Sequence, residues 1–318
     1  MKRWLTLVGS LLCIASAYFF ISRLSMQWDT IQRLHIDRKL LETSAIGTML
    51  YIATYLSSAG SWKLSLRVCG ASLPFSTATR INAVAQIGKY LPGNVGQHVG
   101  RVVLAKRAGL PVSATVGSLL LDMVAVVIAA CLASLLMLDV VAIVFKRHFP
   151  LDGLQLAGTL LALLAGAGVL LTIALRMPQL RSTLIPRVRE IAVAWLAPGN
   201  RARAAGAVGC HLASFLAGSL GLACVTWALS PAAIDATVFP TLLGAYAASW
   251  LCGFLIPGAP AGLGIRETVL MLSLAPLLGE AQAATLTLVL RAMTTLGDAI
   301  AFLAGLAWSG LTARRNTG

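Results

Sequence analysis

A chain of 318 residues that is 58% hydrophobic and 11% charged, with a mean hydropathy of +0.84, is too apolar for a soluble domain, where charged residues make up about 25%. Its net charge of +14 would suggest nucleic acid in a soluble protein, but Lys and Arg collect in the cytoplasmic loops of polytopic membrane proteins, so no nucleic-acid partner is expected. Six scattered Cys without C-x-x-C and four dispersed His show no metal-ligand spacing, and no Walker or Rossmann glycine pattern is present; the sequence calls for no metal and no cofactor.

A spanning helix needs about 20 mainly apolar residues. In chain order the candidates are 4–21, 45–61, 112–138, 153–175, 204–229 and 283–308. Lys2 and Arg3 precede the first, which is long for a signal-peptide core and lacks a persuasive cleavage site; a retained signal-anchor with a cytoplasmic N-terminus is expected. That orientation places Lys63, Arg67, Arg314 and Arg315 inside and the Lys/Arg-free connection 231–237 outside. Arg23, Arg33, Arg38, Lys39, Lys146 and Arg147 then fall on the outer side as exceptions. The basic segment 176–203 interleaves Arg with Leu184, Ile185, Val188, Ile191, Ala192 and Trp195. It reads equally as a cytoplasmic interfacial helix drawn to anionic headgroups and as an ordinary positive-inside loop.

Two further apolar stretches are interrupted. Segments 88–101 (GKYLPGNVGQHVGR) and 253–266 (GFLIPGAPAGLGIR) share one pattern of Gly, Pro-Gly and a downstream Arg, 165 positions apart. Non-helical backbone at membrane depth survives only where protein or water covers it, and Pro and Gly supply the break. With the inside N-terminus, Pro92-Gly93 and Pro257-Gly258 fall in re-entrant hairpins entering from opposite faces. The order helix, hairpin, helix then recurs in both halves, approximately 45–145 and 204–310. The chain is therefore expected to be an all-α polytopic membrane protein, a single integral domain over 1–318, with about six full spanning helices and two Pro-Gly-broken re-entrant hairpins in an inverted repeat. Secondary transporters use that architecture, with half-helix N-termini aimed at anionic groups.

The charged residues inside apolar segments are functional candidates by default. Lys89, Asn94, Gln97 and Arg101 at the first break and Arg266 at the second are cationic or rich in hydrogen-bond donors, the complement of a phosphate-bearing headgroup. Asp122, Glu267 and Asp298 are counter-charge or proton-coupling candidates. Arg101 is one possible partner for Asp122, and Arg291 for Glu267, since Arg266 and Glu267 are consecutive and do not face each other on a helix. His211 reads as an interhelical hydrogen-bond contact. No catalytic constellation is recognisable.

The K-Y-x-P-G element with its downstream G-R, at Lys89 to Gly93 and Gly100-Arg101, and G-x-G-x-R-E at Gly262 to Glu267 resemble the flippase-like membrane family related to the transmembrane region of lysylphosphatidylglycerol synthase, UPF0104 type. The resemblance covers nearly the whole chain. It implies a lipid-translocating module, which in bifunctional relatives moves aminoacylated phosphatidylglycerol between leaflets; those relatives carry a soluble aminoacyl-transfer domain that this sequence does not contain. The expected function is flipping of an anionic or phosphate-bearing lipid in a bacterial-type inner membrane, with both termini cytoplasmic. The alternatives are a membrane glycosyltransferase or headgroup-modifying enzyme using a polyprenyl-linked substrate, or an accessory subunit of an envelope-lipid synthase. Such a subunit would pack through small-residue faces such as Gly96 with Gly100 and Ser214 with Gly218.

Overall fold

The computed structural model describes residues 37–91, 95–138, 140, 185–231, 238–255 and 260–315, and its elements there are helices throughout. The expected spans 4–21 and 153–175, together with Pro92, Gly93, Asn94, Pro257 and Gly258, lie outside the described residues.

Helix α1 (Arg38–Val68) starts where the Asp37 carboxylate accepts the Leu40 backbone N–H at 2.8 Å. That bond satisfies one orphan donor of the first turn. α1 contains the predicted span 45–61 and extends it at both ends. The first interrupted stretch follows as α2 (Phe75–Gln86), a 3-10 turn (Ile87–Tyr90) and α3 (Gly96–Arg107). α4 (Val112–Ser134) begins directly after Pro111. α5 (Ile185–Leu196) falls within the basic segment. α6 (Arg201–Leu229) and α7 (Val238–Leu255) lead to a 3-10 turn (Pro260–Gly262), α8 (Ile265–Leu278) and α9 (Glu280–Arg315).

Among the described residues four stretches are long and apolar enough to cross a membrane: α4 with its 3-10 extension (Val112–Met137), α6 with the preceding turn (Pro198–Leu229), α7, and α9 to Trp308. One of these differs in kind from the sequence expectation. α7 was read as one arm of a re-entrant hairpin, yet its 18 residues span about 27 Å. That is close to the bilayer's hydrocarbon thickness of about 30 Å. α2, which precedes the first interruption, has 12 residues and reaches only about 18 Å.

The helices bury polarity and expose hydrocarbon. On α4, Val112, Val116, Leu120, Val124, Ile128 and Leu132 form an exposed apolar stripe, whereas Thr115, Ser118 and Asp122 are buried. A soluble helix shows the opposite pattern; here lipid is the solvent for the outer face and the backbone is satisfied within the helix.

α1 and α6 lie antiparallel along their whole length. Contacts descend in register: Lys39 Nζ donates to the Trp227 carbonyl at 3.1 Å, Gly47 meets Gly221, Gly60 meets Cys210 and Leu64 meets Gly206. At the Gly47–Gly221 crossing the two backbones touch, since a Cβ on Gly221 would lie 3.1 Å from Gly47 Cα. Small residues permit such approach, which is how helices associate in lipid. Around this pair the two interrupted stretches are exchanged: α2 packs on α9, where Gly305 admits Val84, and α7 packs on α4, where Gly244 admits Met137. The small residues singled out in the sequence are likewise used within the chain, Gly96 against Gly88, Gly100 against Ala85 and Gly218 against Tyr246. α5 is seated on α4 and α6 through buried Trp195, which packs with Leu121, Ala125 and Ala207.

Replacing Gly221 by Val should lower stability by about 1–3 kcal/mol, the usual cost of overpacking. Gly209→Val on the same helix, where a Cβ meets nothing within 4 Å, should cost less. Thermal unfolding of the detergent-purified variants measures the difference.

Candidate functional site

Between the two interrupted stretches lies a cavity of about 170 Å³. Its wall is made by Lys89, Gln97 and Arg101 of the first stretch, Asp122 of α4, His211 of α6, Trp250 of α7, Arg266 and Glu267 of α8, and Arg291 of α9. Residues expected to carry chemistry, far apart in sequence, are thus gathered around one space.

The charges around this space form three groups. In the first, the Asp122 carboxylate receives Arg101 Nη1 at 3.1 Å, the Ser61 hydroxyl at 2.6 Å and His211 Nε2 at 3.0 Å. Arg101 also lies 5.8 Å over the Trp62 ring, a cation–π contact, and the Trp62 indole N–H donates to Ser118 at 3.1 Å. Arg101 keeps its Nε without a hydrogen-bond partner although only 6% of the residue is exposed.

In the second group, Asp298 of α9 takes the Lys89 ammonium at 2.6 Å. Three tyrosine hydroxyls donate to the same carboxylate: Tyr51 at 2.8 Å, Tyr90 at 2.6 Å, and Tyr55. The ammonium donates to Tyr51 at 3.0 Å and sits 5.7 and 5.5 Å from the Tyr51 and Tyr90 ring centres. Five polar groups thereby satisfy one another in a region where an isolated charge is costly.

The third group opens α8. The peptide there bends through Ala261 (φ 52°), Gly262 (φ 69°) and Gly264 (φ 81°), left-handed backbone that glycine adopts without steric cost. Glu267 reaches back to accept the Gly264 backbone N–H at 2.6 Å and meets Arg291 Nη1 at 3.5 Å. The positive end of α8 is therefore met by its own carboxylate, where the sequence suggested a site for an external anion.

Arg266 stands apart. Its guanidinium lies 5.6 Å from the Trp250 ring, which is stacked on Phe254 at 5.0 Å. Gly253 and Gly262 close on its side chain from two sides, and a Cβ on Gly262 would come within 2.7 Å of its Nε. Among the described residues no carboxylate lies within ion-pair distance of Arg266, and its buried Nε has no hydrogen-bond partner. An aromatic plate and two glycines hold a cation against the cavity with no ion-pair partner among the described residues.

Of the sequence candidates, Lys89, Gln97, Arg101, Asp122, Arg266, Glu267 and Arg291 line the cavity, and Asp298 sits directly behind Lys89. Lys89, expected as a headgroup ligand, is held by Asp298 and Tyr51. The sequence reading did not single out Tyr51, Tyr55 and Tyr90, or Ser61 and Trp250. A signal existed for the first pair, because Tyr51 and Tyr55 are spaced i,i+4 on one face of α1.

Apolar helices of membrane length that enclose ion pairs around a central space make this a multi-pass membrane protein. The chain belongs to the family described as the lysylphosphatidylglycerol synthase TM region, whose model matches residues 4–301. No curated protein sequence matches it.

Asp298→Ala should lower stability by about 3–5 kcal/mol, because it leaves Lys89 buried without its counter-ion. The double variant Lys89→Met/Asp298→Leu should recover the part owed to the unpaired ammonium, while the hydroxyls of Tyr51, Tyr55 and Tyr90 stay without their shared acceptor. Thermal unfolding of the single and double variants reads the coupling directly.

Proposed function

We propose that this protein moves an anionic, phosphate-bearing lipid between the two leaflets of a bacterial-type inner membrane. The observation that carries the reading is Arg266, a guanidinium on the cavity wall that no described carboxylate pairs with. A phosphate oxygen pair matches the planar fork of an arginine. Bound there, the phosphate would replace water with a fixed charge at a depth where the headgroup alone could not reside.

The arrangement of helices supports alternating access. In this reading α1–α4 and α6–α9 are the two units of an inverted repeat, each a long helix, an interrupted pair and a second long helix. The interrupted pairs are exchanged across the antiparallel α1–α6 axis, α2 onto α9 and α7 onto α4. The cavity is lined by residues that flank the two breaks in sequence, Lys89, Gln97 and Arg101 on one side and Phe254 and Arg266 on the other, and transporters of this kind bind their cargo between broken helices. Asp122, Glu267 and Asp298 serve as counter-charges that hold Arg101, Arg291 and Lys89 in place, and rearrangement of these pairs accompanies passage of the headgroup. Arg67 at the end of α1, Arg189 of α5, and Arg201 and Arg203 at the start of α6 lie toward the end at which α1 and α6 meet through Leu64 and Gly206. That basic end is the cytoplasmic one by the positive-inside rule, with both termini on the same side.

In proteoliposomes containing only this protein, anionic phospholipids carrying a label on the acyl chain should exchange between leaflets. Arg266→Ala should slow the exchange at least about tenfold, the loss of one charge-assisted hydrogen bond or more, while thermal unfolding falls only by the lost contact with Trp250 and the two glycines. Arg266→Lys should retain part of the rate. Wild-type exchange by Arg266→Ala would overturn the assignment of this site.

A further inference from the structure

We propose that the headgroup this cavity accepts joins one phosphate anion to a neutral, hydroxyl-rich moiety of the glycerol, inositol or sugar type, and that the site selects it over headgroups bearing an ammonium. The proposal rests on the translocation reading and specifies its cargo.

Charge balance is the first ground. Lys89, Arg101, Arg266 and Arg291 border the cavity, and the carboxylates beside them are Asp122, Glu267 and Asp298. Counted as Lys and Arg against Asp and Glu, four cations and three carboxylates leave one positive unit. One phosphodiester cancels it. A zwitterionic headgroup brings an additional cation and no additional anion.

The state of the carboxylates is the second ground. An ammonium needs an acceptor charge, and each candidate is already occupied. Asp122 is held by Arg101, His211 and Ser61. Asp298 is held by Lys89 and three tyrosines. Glu267 is held by Arg291 and the Gly264 N–H. The aromatic wall is committed as well, since Arg266 already lies over Trp250.

The third ground is a set of neutral hydroxyls on the wall, beside the amides of Gln86 and Gln97. Thr54, Ser214, Ser249, Thr287 and Thr294 line the cavity, and each donates its hydroxyl hydrogen to a carbonyl of its own helix. Their hydrogens are spent, and their oxygen lone pairs remain as neutral acceptors. The matching ligand group is a neutral donor, which a polyol supplies through its O–H groups. At about 170 Å³ the cavity is smaller than the roughly 300–1,000 Å³ that enclose a drug-sized molecule. It takes a headgroup and leaves the acyl chains in the bilayer.

Binding and transport are measured separately on the full chain. Detergent-purified protein is loaded with acyl-labelled phosphatidylglycerol, and displacement is followed with short-chain phosphatidylglycerol, phosphatidylinositol, phosphatidylethanolamine, phosphatidylserine and phosphatidic acid, and with free glycerol 3-phosphate. The two polyol lipids should compete at least about tenfold better than the two amine-bearing lipids, the worth of one charge-assisted hydrogen bond. Arg266→Ala should weaken phosphatidylglycerol binding. Ser249→Ala with Thr287→Val, which removes two acceptors and no tertiary hydrogen bond, should cut the preference for phosphatidylglycerol over phosphatidic acid about tenfold. Equal competition by amine-bearing and polyol lipids overturns the headgroup class, even if every lipid is then exchanged between leaflets and the translocation reading stands. Selective binding of polyol lipids without exchange in proteoliposomes upholds the headgroup class and overturns translocation. Competition by free glycerol 3-phosphate as strong as by the lipid overturns a lipid cargo, and absence of binding by both polyol lipids overturns the proposal altogether.

Discussion

A charge carried into a low-dielectric interior must be matched there, and that requirement organises this molecule. Placing one ionised group at bilayer depth costs at least about 2.5–3.5 kcal/mol on insertion scales, and the described interior holds several. Each of Lys89, Arg101 and Arg291 has a carboxylate supplied by α4, α8 or α9. The pairs bind the interrupted stretches to the long helices more specifically than apolar packing could, because lipid is as apolar as the leucines it replaces. Arg266 has no carboxylate at ion-pair distance among the described residues, and a tryptophan plate and two glycines shape a slot for it.

The second organising element is the α1–α6 pair. Long antiparallel contact through Gly47 and Gly221 gives the two helices a common axis, and the packing of α2 on α9 and of α7 on α4 locks each interrupted stretch to the opposite end of the chain. A shift at one break is then felt by a long helix from the other half. Tyr51 and Tyr55, on the face of α1 turned toward α9, tie that axis to the Lys89–Asp298 pair.

The sequence made part of this legible. Arg101 and Asp122 are 21 positions apart in neighbouring segments, and Glu267 and Arg291 are 24 apart across a single turn, so proximity in the chain made their pairing worth considering. Lys89 and Asp298 offered no such hint, because their meeting depends on α2 packing against α9. The tyrosines around Asp298 were hidden for the same reason: an aromatic in an apolar helix reads as filling until its hydroxyl is seen to have a partner. The length of α7 was obscured by the Pro-Gly step that follows it, which drew the whole stretch into one hairpin. The membrane class and the gathering of candidates around the two interruptions followed from composition and from Gly/Pro placement, physical signals that do not depend on tertiary contact.

The separation of Lys89 from its counter-ion also has a bearing on how the chain comes to be assembled. About 200 residues lie between Lys89 and Asp298, so at roughly 5–20 residues per second of synthesis the carboxylate follows the ammonium by on the order of 10–40 s. Through that interval Lys89 has neither Asp298 nor a packed α9 to receive it. The pair that secures the interior at Lys89 closes only once α9 has been made, so the last long helix completes a contact begun by the first interrupted stretch.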